Sequence, residues 1–196
     1  MKIVINGKKI FFDIEGPEYV LRDGELHKLP TLILIHGSPG NSDHSVFKPA
    51  FSALRDVARI LYLDLSGAGR SDDEPDNAFS LDRWADDLVV LCKVLDIDKP
   101  IVLGVSAGGF VAMAYGLRYP DHPGKLILAS TQAYLDVERS IAEFKRLGGD
   151  AAAAVFPPPS HASAASISPA SAPFLINASA RCLRRPKIDA VCSTRL

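Results

Sequence analysis

The chain has 196 residues, 47% of them hydrophobic and 23% charged, with a formal net charge of −1. That length suits one domain with a real core, and the composition is ordinary for a globular protein. The near-zero charge provides no global field to draw in nucleic acid or an acidic membrane, and no run approaches the apolar length of a membrane span.

The first pattern in the chain is a hairpin. In "KIVINGKKIFFDIEG", Asn6-Gly7 suits a type I′ turn, which needs φ > 0 at both central residues. The same stretch is too soon interrupted by charge to be a signal peptide. "TLILIHG" (31–37) is a short continuous apolar run closed by glycine, the pattern of a strand buried on both faces. "ARILYLDLSGAG" (58–69), "PIVLGV" (100–105) and "GKLILAS" (124–130) repeat that form. Between them lie helical patterns. A weak one covers 43–55. A clear one covers 80–97, with Ser80 as N-cap and an apolar stripe at Leu81, Trp84, Leu88, Leu91 and Leu95. "AGGFVAMAYGLRY" (107–119) ends before Pro120, and 137–149 reads as a helix stopped by glycine. Strands alternating with helices predict an α/β fold: an N-terminal antiparallel hairpin, then a mostly parallel sheet covered on both faces. Ligands then bind at the carboxyl ends of the strands.

One such end carries the chemistry. Gly104-Val105-Ser106-Ala107-Gly108 fits G-x-S-x-G, with Gly109 following, a strand before it and a helix after it. A serine hydroxyl is a poor nucleophile at neutral pH unless it is exposed, set beside a base and faced by oxyanion donors. A sharp strand-to-helix turn exposes it, and the crowding there demands small neighbours such as Gly104, Gly108 and Gly109. The plainer alternative is a glycine-rich turn that binds phosphate or merely packs. The usual phosphate signatures, G-x-G-x-x-G and G-K-[ST], do not occur. "IHGSPGN" (35–41) supplies a second glycine-containing loop at a strand end. The expected oxyanion donors are the backbone N–H groups of Ala107 and Ser38. His36, just before Gly37, is read as loop scaffolding rather than as the base.

These segments resemble the α/β-hydrolase superfamily. "HGSPG" resembles an HG-x-P-G oxyanion loop. "DLSGAGRSD" (64–72) resembles D-x-x-G-x-G-x-S-D. "GVSAGGFVAMAYGLRYPDHPGKLILAST" resembles the nucleophile elbow with its helix and next strand. The order is the family's and spans about residues 1–150. Within the superfamily the chain is most similar to proline iminopeptidase-like serine peptidases, though "DLSGAG" lacks the arginine and histidine usual around the first glycine. The resemblance implies release of an N-terminal residue, often proline, from a small peptide through an acyl-enzyme, without a cofactor. An esterase or other acyl hydrolase is the alternative within the enzyme class. The expected partner is a small peptide or ester substrate, with no nucleic acid and no membrane.

The resemblance also implies an acid and a histidine after Ser106, in that order. Only His122 and His161 follow. His122 belongs to a turn at the far end of the sheet. His161 lies in "PPPSHASAAS", with no strand to fix it, so pairing it with Asp136 or Asp150 satisfies the order only formally. No acid or base is identifiable, and a catalytically silent product is the rival to the enzyme.

The chain also changes character near Phe156. Residues 1–150 carry 22 of the 23 acidic residues, whereas residues 151–196 hold five basic residues and one acid. Ala, Ser and Pro fill 22 of the 30 positions in 151–180, a composition that cannot readily bury a core. The division expected is therefore a hydrolase-like core over 1–135, the start of a helical cap over 136–155, and a low-complexity tail over 156–196, disordered or non-native. A departure of the reading frame near Phe156 would produce it, as would a natural tail on a shortened enzyme that lacks the last strands. Cys92, Cys182 and Cys192 have no metal-ligand spacing and an odd count, so no metal site is expected and the compartment is expected to be reducing and cytoplasmic.

Overall fold

A computed structural model describes residues 1–37, 42–73, 80–133, 137–154 and 191–192. The Asn6-Gly7 turn, at φ 46 and 85, joins β1 (Lys2–Ile5) to β2 (Lys8–Glu15) in antiparallel register with Ile5 opposite Lys8. A second hairpin, β3 (Tyr19–Arg22) with β4 (Glu25–Lys28), stands apart as its own two-stranded sheet. Its turn is Asp23-Gly24, at φ 51 and 82, a type I′ signal of the same kind. The sequence reading contains no such hairpin.

The main sheet continues with β5 (Thr31–Ile35), β6 (Arg59–Leu63), β7 (Ile101–Val105), β8 (Lys125–Ala129) and β9 (Val191–Cys192). Its order is β1-β2-β6-β5-β7-β8-β9. The β5, β6, β7 and β8 pairings are parallel, and β2 joins β6 antiparallel. This is the expected doubly covered α/β arrangement.

The continuous apolar runs hide a strict alternation. Ile33 and Ile35 of β5, Leu61 and Leu63 of β6, and Val102 of β7 pack on one face. There they meet Trp84, Leu88, Leu91 and Cys92 of α2 (Leu81–Val94) and Val111, Ala112 and Tyr115 of α3 (Ala107–Arg118). Leu32, Leu34, Ile60, Tyr62 and Leu103 turn to the other face, against Phe47 and Ala58. Each fully buried side chain of this size contributes about 1.5–3 kcal/mol. The run at β8 differs from the expected pattern. Lys125 is exposed and the next four residues are only partly buried. Among the described residues its outer neighbour, β9, is two residues long, so little covers that side.

The helical expectations at 80 and 149 hold with a difference in detail, and the one at 43–55 needs correction. Ser80 has the extended backbone of an N-cap, but its side chain makes no capping bond; its carbonyl accepts the Trp84 N–H at 3.1 Å instead. The stretch 43–55 is not one helix. It is a 3₁₀ turn at His44–Phe47, a four-residue helix α1 (Lys48–Phe51) and a second 3₁₀ turn at Ser52–Asp56. Pro49 has no N–H to give to the preceding turn, so a continuous α-helical ladder is interrupted there. Helix α4 (Val137–Ala153) is broken at Gly149 as expected, with φ 72, but helical backbone resumes after it.

The underside of β2 is tied to this irregular segment by charge. The Lys48 ammonium hydrogen-bonds Asp13, and this holds the Asp13 carboxyl below its ordinary range. Glu15 is also held low, first by the Ser52 hydroxyl at 2.7 Å, then by the Tyr62 hydroxyl and Lys48. A carboxyl depressed in the folded state adds stability above its unfolded pKa and loses it as pH falls through the folded value. Lys48→Met therefore flattens the acid limb: as pH falls below the ordinary carboxylate range, the wild-type Tm drops more steeply than the variant's. Parallel limbs in thermal melts would remove this pairing from the account of acid stability.

Candidate active site

Strand β7 runs straight into α3 through Ser106, whose backbone sits at φ 53, ψ −119 and whose side chain is exposed. Non-glycine residues are strained in that region, so the surroundings must impose it. They do so by close approach. A Cβ added to Gly104 would fall 2.3 Å from the Gly108 carbonyl oxygen. One added to Gly108 would fall 2.3 Å from the Ile35 carbonyl oxygen and 2.5 Å from that of His36. The first turn of α3 therefore presses on the end of β5 with no room for a side chain. The Ser106 N–H donates to the Ala129 carbonyl at 3.0 Å, and its own carbonyl accepts the Gly109 N–H at 2.9 Å.

The two motifs meet here. A Cβ on Gly37 would lie 3.0 Å from Ser106 Cβ and 3.5 Å from its Oγ. The loop after β5 thus passes directly beside the hydroxyl. Ala107 is the first residue of α3, so its N–H has no intrahelical acceptor and points out of the helix start. Ser38, the other expected donor, lies outside the described residues.

His36 is fully buried and both its nitrogens are engaged. Nδ1 lies 2.8 Å from the Gly37 carbonyl oxygen, and Nε2 accepts the Leu65 N–H at 3.3 Å. This ties the β5 loop to the end of β6. His122 contacts the Tyr115 hydroxyl beside the start of β8, at the opposite end of the sheet, and burial pushes its pKa down. Asp150 is exposed on α4 and pairs with Lys145 at 2.7 Å. Asp136 and His161 lie outside the described residues. Among the described residues no side chain hydrogen-bonds the Ser106 hydroxyl. Cys92 does not compete as a nucleophile, since burial pushes its thiol up to about 12.

A polar cluster that the sequence reading missed sits at the end of β6, with β5 between it and the strand that carries Ser106. Asp64, fully buried at the end of β6, accepts the His44 N–H at 2.7 Å and lies 2.9 Å from His44 Nδ1. Its other oxygen accepts the Arg70 N–H at 2.9 Å. Ser71 donates to the Asp64 carbonyl and accepts the Phe11 N–H, so β2 joins the same network. Asp43, His44 and Asp64 bring ligand-type atoms within 4.8 Å of one another. Their bonds are already committed, however: Asp64 to N–H donors, Asp43 to the Ser45 N–H and hydroxyl. The donor set reads as a clamp on two loops rather than as a cation cage. The available signal was the aspartate opening "DLSGAGRSD".

Residues 30–179 match the family model described as the alpha/beta hydrolase fold. The chain belongs to the α/β-hydrolase family. It is 36% identical over 133 residues to a proline iminopeptidase of Lactobacillus helveticus, covering 65% of this chain and 44% of that protein. It thus spans less than half the length of this relative. An esterase structure from Thermogutta terrifontis superposes with a TM-score of 0.57 at 31% identity, over 76% of this chain and 54% of the other. A proline iminopeptidase-related protein from Thermus thermophilus superposes with a TM-score of 0.65 at 20% identity, over 82% and 57%, which speaks to fold alone. Among the described residues of this α/β-hydrolase, no helix is long and apolar enough to cross a membrane.

Removing the Asp64 carboxylate leaves the buried His44 N–H and Nδ1 and the part-buried Arg70 N–H without their partner. Asp64→Ala is expected to lower unfolding free energy by about 3 kcal/mol or more, read from urea denaturation. A loss below about 1 kcal/mol would mean the clamp carries little stability.

Proposed function

We propose that the chain carries the nucleophile half of a serine hydrolase of the proline iminopeptidase type, with Ser106 as nucleophile. The observation that carries this reading is the backbone of Ser106: an exposed serine held at positive φ, at the start of a helix, with the Gly37 loop beside its Oγ. No packing need calls for a hydroxyl at that point. In the proposed reaction the Oγ attacks the carbonyl carbon of a small peptide as its proton passes to a base. The oxyanion so formed accepts from the Ala107 N–H and the Ser38 N–H. The C–N bond then breaks, the amine leaves with the proton, and water hydrolyses the ester on Ser106. An ester substrate follows the same course with an alcohol leaving, and the likeness to a thermophilic esterase supports that variant. The substrate is held without a cofactor, nucleic acid or membrane, in a cytoplasmic setting.

The silent reading rests on a different observation: among the described residues no base touches Ser106. Loss of one triad member costs up to about 10⁶-fold in kcat in a comparable enzyme. A fluorophosphonate probe separates the two. The expected result is covalent labelling of the purified chain that disappears in Ser106→Ala. An unlabelled wild type, or equal labelling of the variant, would defeat the nucleophile assignment. Where labelling holds, comparing proline p-nitroanilide with p-nitrophenyl acetate distinguishes peptidase from esterase.

A further inference from the structure

We propose that Thr131 is a positioning residue that aims the Ala107 N–H at the developing oxyanion; the catalytic part of this inference rests on the reading of Ser106 as nucleophile. Strand β8 stops at Ala129, and Ser130, at φ 48, turns the chain back toward α3. The Thr131 hydroxyl then donates to the Ser106 carbonyl oxygen at 2.8 Å. The Ser106 N–H is held from the same segment, by the Ala129 carbonyl at 3.0 Å. Both backbone polar groups of the candidate nucleophile are therefore gripped by the end of β8.

The consequence follows from peptide planarity. The Ser106 carbonyl and the Ala107 N–H belong to one rigid trans unit and point in opposite directions. Fixing the carbonyl fixes the direction of the N–H. The Gly109 N–H also bonds this carbonyl, at 2.9 Å, but along the helix. Thr131 bonds it from outside the helix. Its side chain is kept in place by contact with Gly109, where an added Cβ would fall 2.4 Å from Thr131 Oγ1 and 2.5 Å from its Cβ and Cγ2. The absence of a side chain at Gly109 thus makes room for Thr131, which in turn steadies the peptide that carries the oxyanion donor. Thr131 touches neither the substrate nor the reacting atoms, so its part is orientation.

Two substitutions separate this role from packing. Thr131→Val keeps the shape and removes the outer donor; the Ser106 carbonyl then keeps only the Gly109 N–H along the helix, and water on its outer side solvates it without fixing its direction. Thr131→Ser keeps the donor and loses the methyl. The Ala107 amide resonance is expected to shift in Thr131→Val and to return in Thr131→Ser, with thermal midpoints close to wild type. Labelling of Ser106 by a fluorophosphonate is expected to slow about tenfold in Thr131→Val, since losing one oxyanion donor outright costs about 10²–10³. It should stay within about threefold of wild type in Thr131→Ser. An unshifted Ala107 amide in Thr131→Val, unchanged labelling there, or a serine variant that behaves like valine overturns the proposal. The amide measurement needs no reactivity. A wild type that fails to label therefore defeats the nucleophile reading, while the orienting role of Thr131 is still decided by the resonance.

Discussion

Gly108 lies against the carbonyl oxygens of Ile35 and His36 so closely that no side chain could stand there. That approach couples the start of α3 to the end of β5, and the rest of the site is built on it. It brings the Gly37 loop beside Ser106 and sets the angle at which β7 must turn. The neighbouring loops are then secured by polar groups. His36 ties the end of β5 to Leu65 beyond β6, and Asp64 ties the segment at His44 to Arg70. Trp84 of α2 reaches the same region, donating from its indole to the Ser66 hydroxyl at 3.0 Å. A rim of loops, normally the most mobile part of a fold, is thus held by buried bonds from three strands and one helix.

The described histidines show where the chain places groups that could have been catalytic. His27 lies exposed on the separate β3–β4 hairpin, and His122 sits under the sheet with Tyr115. His36 and His44 are both buried at the functional end, and both are committed to holding loops. Among the described residues, each histidine is thus either far from the Ser106 hydroxyl or committed to holding a loop.

Much of this was legible beforehand, for physical reasons that can be named. The central strands announce themselves as unbroken apolar runs because both faces are buried. For the same reason the split of Ile33 from Leu34 between two faces is invisible in the sequence. Asn6-Gly7 was readable because a type I′ turn demands such residues; Asp23-Gly24 carried the same message without strong apolar alternation around it. Ser106 was readable because crowding restricts its neighbours to a rare set of small residues. The Asp64–His44 pair was not, since nothing at a separation of 20 residues marks two polar groups as partners. Nor was Thr131, an ordinary residue whose role arises only where the end of β8 meets α3.

The backbone of Ser106 has one more consequence. A residue with a side chain at φ 53 costs on the order of 1–3 kcal/mol, which glycine would largely avoid. On the proposed reading of Ser106 as nucleophile, stability and reactivity are opposed at this single position. A procedure that improved the chain by folding free energy alone would select glycine at 106 and so remove the hydroxyl first. A more thermostable variant found by such a screen therefore has to be read at residue 106 before it is used to test the proposed chemistry.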